Sequence, residues 1–175
     1  FGLMKQWLAE SPENRWKILM QKRKLSFTLH RVPAAVVRPL RAAILRPDRP
    51  FAESVYAHDD DPDTLHVALM RDGAAAGSVT AMRQPIPEQD DPSQWRLRGV
   101  TLSSELRGSG YGKMLMMAGI GYAARRGGSL LWFYSSEYAV SIYLHLGFVI
   151  RADLSFIDPA SPNPFMWRPL TLKDR

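Results

Sequence analysis

The stretch Arg107-Gly108-Ser109-Gly110-Tyr111-Gly112-Lys113 constrains the fold of this chain more than any other. A strand-like segment from Trp95 to Leu102 leads into it, and a helix-like segment from Gly112 to Arg126, closed by Gly127-Gly128, follows. A strand that turns through glycines into a helix is a phosphate cradle. Small residues let successive backbone N–H groups converge on an anion, and the helix dipole adds favourable potential. Arg107 supplies a charge-assisted contact at the same place. The glycine spacing and the missing Lys-Ser/Thr exclude an ATP-type P-loop. The late position and the lack of a ribose-binding acid exclude a dinucleotide fingerprint.

At 175 residues the chain is long enough for one domain with a real core. Its 46% apolar and 23% charged content is that of a globular protein. It has no cysteine, so disulfides, thiolate metal sites and thiol nucleophiles are excluded. No apolar run reaches the roughly 18 residues of a membrane span, and a cytoplasmic protein is expected. The net charge of +6 is uneven: residues 1–50 hold 11 Lys/Arg against 3 Asp/Glu. Without interleaved aromatics of a nucleic-acid motif, this reads as a solvated face or an anion-attracting wall, and a nucleic-acid partner is not expected.

Periodicity assigns residues 1–24 to a helical extension starting at Ser11-Pro12-Glu13, and residues 25–175 to the folded domain. Strands are expected at Ser26–Val32, Leu65–Met70, Ala75–Met82, Trp95–Leu102, Ser129–Tyr134, Phe148–Phe156 and Phe165–Leu170. Helices are expected at Pro33–Leu45, interrupted at Pro39, at Gly112–Arg126, with Met114, Met117, Ala118, Gly121 and Tyr122 on one face, and at Glu137–Leu146. Arg46–Asp63 reads as a long, acid-rich loop.

Arg107-x-x-Gly110-x-Gly112 resembles the pyrophosphate motif of the GNAT superfamily of acyl-CoA-dependent N-acyltransferases. Ala139-x-x-x-Tyr143-x-x-Leu146-Gly147-Phe148 independently resembles the later helix of the same superfamily. One helix and one strand separate the two segments, as in that family. The resemblance implies an α/β fold of α+β type: a mixed, mostly antiparallel sheet, splayed in the middle, with helices on both faces. It implies acetyl-CoA as cosubstrate, without a metal, and direct acetyl transfer to a primary amine of a small molecule. By position, Val100 and Leu102 would pair with the pantetheine arm. Arg107, Gly108, Ser109, Gly110, Tyr111, Gly112 and Lys113 would hold the pyrophosphate, and Tyr143 would protonate the leaving thiolate. A tyrosine at that spacing also suits a plain core position.

Two positions depart from the family pattern. The strand Trp95–Leu102 lacks the acid that serves many members as base, and Ser136 stands where many carry Asn, leaving a shorter cofactor contact. The loop Glu53–Asp63 resembles an acceptor-side loop, which implies acceptor contacts from Glu53 and Tyr56. Its acids would attract a cationic amine, supply a base, bind a metal with His58, or simply be solvated. A non-catalytic acyl-CoA sensor with a protein partner and a tRNA-directed acetyltransferase are the rival readings. A homodimer is compatible with all of them.

Overall fold

The computed structural model describes residues 27–155 and 163–175. The extension read at 1–24 lies outside them. Seven strands form one sheet: β1 (Thr28–Arg31), β2 (Leu65–Arg71), β3 (Ala74–Arg83), β4 (Gln94–Leu102), β5 (Leu130–Tyr134), β6 (Val149–Ile150) and β7 (Phe165–Pro169), in the order β1-β2-β3-β4-β5-β7-β6. All neighbours are antiparallel except β4 and β5. The helices are α1 (Ala34–Leu45), α2 (Tyr111–Arg125) and the short α3 (Val140–Leu144).

Strand alternation sorts the side chains onto two faces. Val67, Leu69, Val79, Ala81, Leu97, Leu131 and Phe133 share the main core with Leu115, Met116 and Ile120 of α2. His66 and Thr80 point to the opposite face and meet Arg41 of α1. The helices therefore cover both faces, as the resemblance implies. Gly119 lets α2 lie close on β4, since a Cβ there would sit 2.7 Å from Leu97 Cδ2.

Three local expectations differ from the structure. Helix α1 runs unbroken through Pro39. The proline removes one backbone bond, and the anchoring of Val37 and Arg41, both essentially inaccessible, outweighs that loss. On α2 Leu115, Met116 and residues 119–124 are buried, the expected Gly121 and Tyr122 among them, while Met114 and Met117 are exposed. The helix is apolar nearly all round, so periodicity alone does not fix its inner face. Of the strand expected over Phe148–Phe156, whose last residue lies outside the described residues, only Val149–Ile150 is strand. A short 3-10 turn at Ala152–Leu154 ends it, held by an Arg151–Asp153 ion pair at 2.6 Å and by Ser155 Oγ donating to the Arg151 carbonyl.

Candidate active site

Strands β4 and β5 pair only over Gln94–Arg96 and Leu130–Trp132. Beyond that point each continues without the other, and the sheet opens between them. A bulge in β4 re-aims the strand there. Between the pairs Ser78↔Thr101 and Thr80↔Arg98, β3 contributes one residue and β4 two, Gly99 and Val100. Gly99 sits at φ +59°, and a Cβ on it would fall 2.6 Å from Arg41 Nε. Only glycine meets both conditions.

Arg41 is itself held in a buried network. Its guanidinium donates to both Asp59 carboxylate oxygens, at 2.9 and 2.7 Å, and to the Ser54 carbonyl and Thr80 Oγ1. Asp59 also accepts from Arg38 and from the Tyr56 N–H. Burial works to raise the Asp59 pKa, but these hydrogen bonds and the Arg41 charge outweigh it and leave it below the usual 3.8. The His66 Nε2 atom lies 2.8 Å from the Asp59 carbonyl, which can only accept, so Nε2 carries the proton. Burial, with Arg41 nearby, lowers the His66 pKa below 6.5 and keeps the ring neutral.

The far end of β4 runs through a short 3-10 turn (Ser104–Leu106) into the glycine loop. Gly108 and Gly110 have φ of +75° and +88°, with open space where a Cβ would stand. The backbone N–H groups of Gly108, Gly110, Tyr111, Gly112 and Lys113 find no acceptor among the described residues. The first turn of α2 carries no acid, and Arg107 and Lys113 are exposed beside it. The Ser109 hydroxyl is tied to the Leu106 carbonyl, which fixes the turn. The loop thus has the unmatched amides, glycine torsions and cations that a pyrophosphate requires.

Tyr143 on α3 packs edge-on against Phe133 of β5, with ring centroids 4.7 Å apart, and lies near Phe148. Its hydroxyl makes no hydrogen bond to the described residues, and burial raises its pKa above 10.0. Ser136 precedes the 3-10 turn leading into α3, and its carbonyl accepts from Ser135 Oγ and the Ala139 N–H. Val100 and Leu102 lie on the part of β4 that faces the opening.

The acid-rich loop is mostly committed to internal pairs. Asp60 meets Arg38, Asp61 meets His58, and Asp63 meets Arg126 and Arg83. Glu53 is exposed and pairs with Arg46 at 3.0 Å. Tyr56 is buried, its ring beneath the guanidiniums of Arg41 (4.1 Å) and Arg98 (3.7 Å). Among the described residues no His, Asp and Glu side chains group as metal ligands. An open depression of about 430 Å3 at the start of α1, lined by Arg31, Pro33, Asp60, Asp61 and others, lies apart from the strand opening.

Sequence reasoning missed Arg96 and Arg98 of β4. Arg96 stacks on Trp132 at 4.4 Å, and its Nε is buried without a partner. The signal was present in Trp95-Arg96-Leu97-Arg98: the apolar residues face α2, so the arginines face the other way.

A mixed sheet opened between two parallel strands, with a glycine loop of unmatched amides at the end of one, is the arrangement of an acyltransferase fold. The chain belongs to the acetyltransferase (GNAT) family, whose model matches residues 5–148. This is a family of acyltransferase enzymes that use acyl-CoA as cosubstrate. Solved structures agree on the fold. An acyl-CoA N-acyltransferase from Pseudomonas aeruginosa is 20% identical, with TM-score 0.61 over 82% of this chain and 99% of that one. A GCN5-related N-acetyltransferase from Kribbella flavida is 17% identical, with TM-score 0.63 over 82% and 98%. An aminoglycoside 6'-N-acetyltransferase complexed with coenzyme A is 15% identical, with TM-score 0.62 over 82% and 97%. A comparison with curated protein sequences finds no match. Among the described residues no helix is long and apolar enough to cross a membrane.

Proposed function

We propose that this chain transfers the acetyl group of acetyl-CoA to a primary amine of a small molecule, in one direct step within a ternary complex. The observation that carries this reading is the set of unmatched amides at Gly108 and Gly110–Lys113, at the end of the strand that opens toward Tyr143. Acetyl-CoA supplies an acyl group already activated as a thioester. Arg107, the free amides of Gly108, Gly110, Tyr111 and Gly112, and Ser109 in the turn between them grip the pyrophosphate, with Lys113 nearby. Val100 and Leu102 offer backbone groups to the pantetheine arm, and Ser136 offers a polar contact beside it.

Tyr143 keeps its proton at neutral pH, because burial raises its pKa. It can therefore give that proton to the leaving sulfur. The strand β4 carries no carboxylate to serve as base. Nearby guanidiniums at Arg96 and Arg98 disfavour an ammonium ion, so the acceptor sheds its proton to water and attacks as the free amine. Positioning supplies the rest of the rate.

The test is thiol release from acetyl-CoA across a panel of primary amines. Acetylation of one amine class, with loss of turnover and retention of cofactor binding in Tyr143→Phe, is expected. Cofactor binding without turnover of any amine would overturn the reading.

A further inference from the structure

The face of the sheet opposite α2 carries an uncompensated positive wall. The α2 face of the opening is lined by the main core and Tyr143, so an acceptor meets the thioester from the α1 face. Arg96 and Arg98 are the charged side chains of β4 on that side. Neither forms an ion pair with a described carboxylate. Asp59 is taken by Arg41 and Arg38, and Glu53 by Arg46.

Their donors are largely unused. Arg96 gives one hydrogen bond, to Gln84 Oε1 at 3.3 Å, and its Nε is buried with no partner. Arg98 donates to no described residue and rests on the Tyr56 ring at 3.7 Å. A guanidinium has five N–H donors, so most stand unmatched. Both groups are partly buried. Burial, and next the charge of Arg98, pushes the Arg96 pKa down to about 10. Stacking on Trp132 and Tyr56 fixes the planes of the two forks. Holding two cations together, partly desolvated and without a counter-charge, is unfavourable until an anion joins them.

We propose that Arg96 and Arg98 bind a carboxylate of the acceptor, so that the substrate is an amino-acid-like primary amine bearing an anionic group. This deepens the acetyl-transfer reading and rests on it. Planar, oriented guanidiniums match a carboxylate by paired N–H donors, which a lysine could not do. Trp132 lies fully buried beneath the Arg96 guanidinium and backs it with a fixed aromatic plane. The wall thus suits an acceptor with one anionic end. It repels polyamines and aminoglycosides, which carry several positive charges.

The experiment measures kcat/KM with acetyl-CoA for matched primary amines: amino acids, the same compounds as carboxamides, and the corresponding aminoalkyl phosphonates. Wild type is compared with Arg98→Gln, Arg98→Lys and Arg96→Gln. A melting shift with acetyl-CoA in each variant confirms an intact cofactor site. The expected result is a preference for the carboxylate of roughly 30-fold or more over the carboxamide. Arg98→Gln should erase it chiefly by raising KM, and Arg98→Lys should restore part of it. Phosphonates preferred over carboxylates would overturn the carboxylate assignment in favour of a phosphorylated acceptor. Carboxamides or polyamines turned over as well as the acids, or an unchanged preference in Arg98→Gln, would overturn the inference and leave acetyl transfer standing. Turnover of no amine of any kind, with the cofactor bound, would remove both.

Discussion

Tyr143 and Gly99 are the single residues on which the chemistry and the geometry of the opening turn. Replacing Tyr143 with Phe keeps the packing against Phe133 and Phe148 and removes only the hydroxyl. We expect kcat to fall by about 10²-fold, the lower range for a lost general acid. The melting shift with acetyl-CoA should stay unchanged. The raised phenol pKa also predicts that wild-type kcat shows no alkaline decline below about pH 10. A decline near pH 8 in the pH–rate profile would assign the acid elsewhere. At Gly99, alanine meets both a positive φ and the Arg41 side chain. Gly99→Ala is expected to lose about 1–3 kcal/mol in denaturant unfolding. It should also lower activity beyond that loss, because the bulge that turns β4 is disturbed.

Between α1 and the acid-rich loop the buried ion pair is the element-level device. Arg41 and Asp59 have side chains 1% and 0% exposed, so removing one strands the other. Arg41→Met should destabilise the protein by about 3 kcal/mol in chemical unfolding. An unchanged midpoint would show that Arg38 and the Tyr56 amide alone compensate Asp59. The neighbouring His66 makes stability depend on pH. Its folded pKa lies below 6.5, so its contribution is fully present above that value and is lost as pH falls from about 6.5 toward the folded pKa. The melting temperature should decline across that window, and His66→Gln should flatten the decline. Asp59, also lowered, adds its own loss only as pH falls below 3.8.

These elements also mark where the sequence was readable. The glycine loop and the Tyr143–Phe148 segment announced themselves because their residue types are dictated locally, by torsion and by helix termination. The succession of strands along the chain followed from the same local patterns, and the mixed, splayed sheet from the family resemblance. The bulge at Gly99 did not, because its cause is a long-range contact from Arg41. Nor did the committed state of the acidic loop, since pairing of Asp59 with Arg41 and of Asp63 with Arg126 depends on tertiary placement. Arg96 and Arg98 were visible as charges in a strand, but their lack of partners exists only in the folded sheet.

At the scale of the whole molecule, we propose that the β4–α2 junction holds a CoA pyrophosphate and orients the thioester through the strand opening. Family membership establishes an acyl-CoA-dependent enzyme; that this loop and these residues do the holding is the proposal. The most direct measurement is the melting temperature during an acetyl-CoA titration of wild type and Arg107→Glu. At 100 times the dissociation constant, wild type should gain roughly 2.7 kcal/mol of stability, while Arg107→Glu, with its unliganded melting temperature unchanged, gains little. An equal shift in both proteins would place the pyrophosphate elsewhere, and no shift in wild type at millimolar acetyl-CoA would contradict the claim outright.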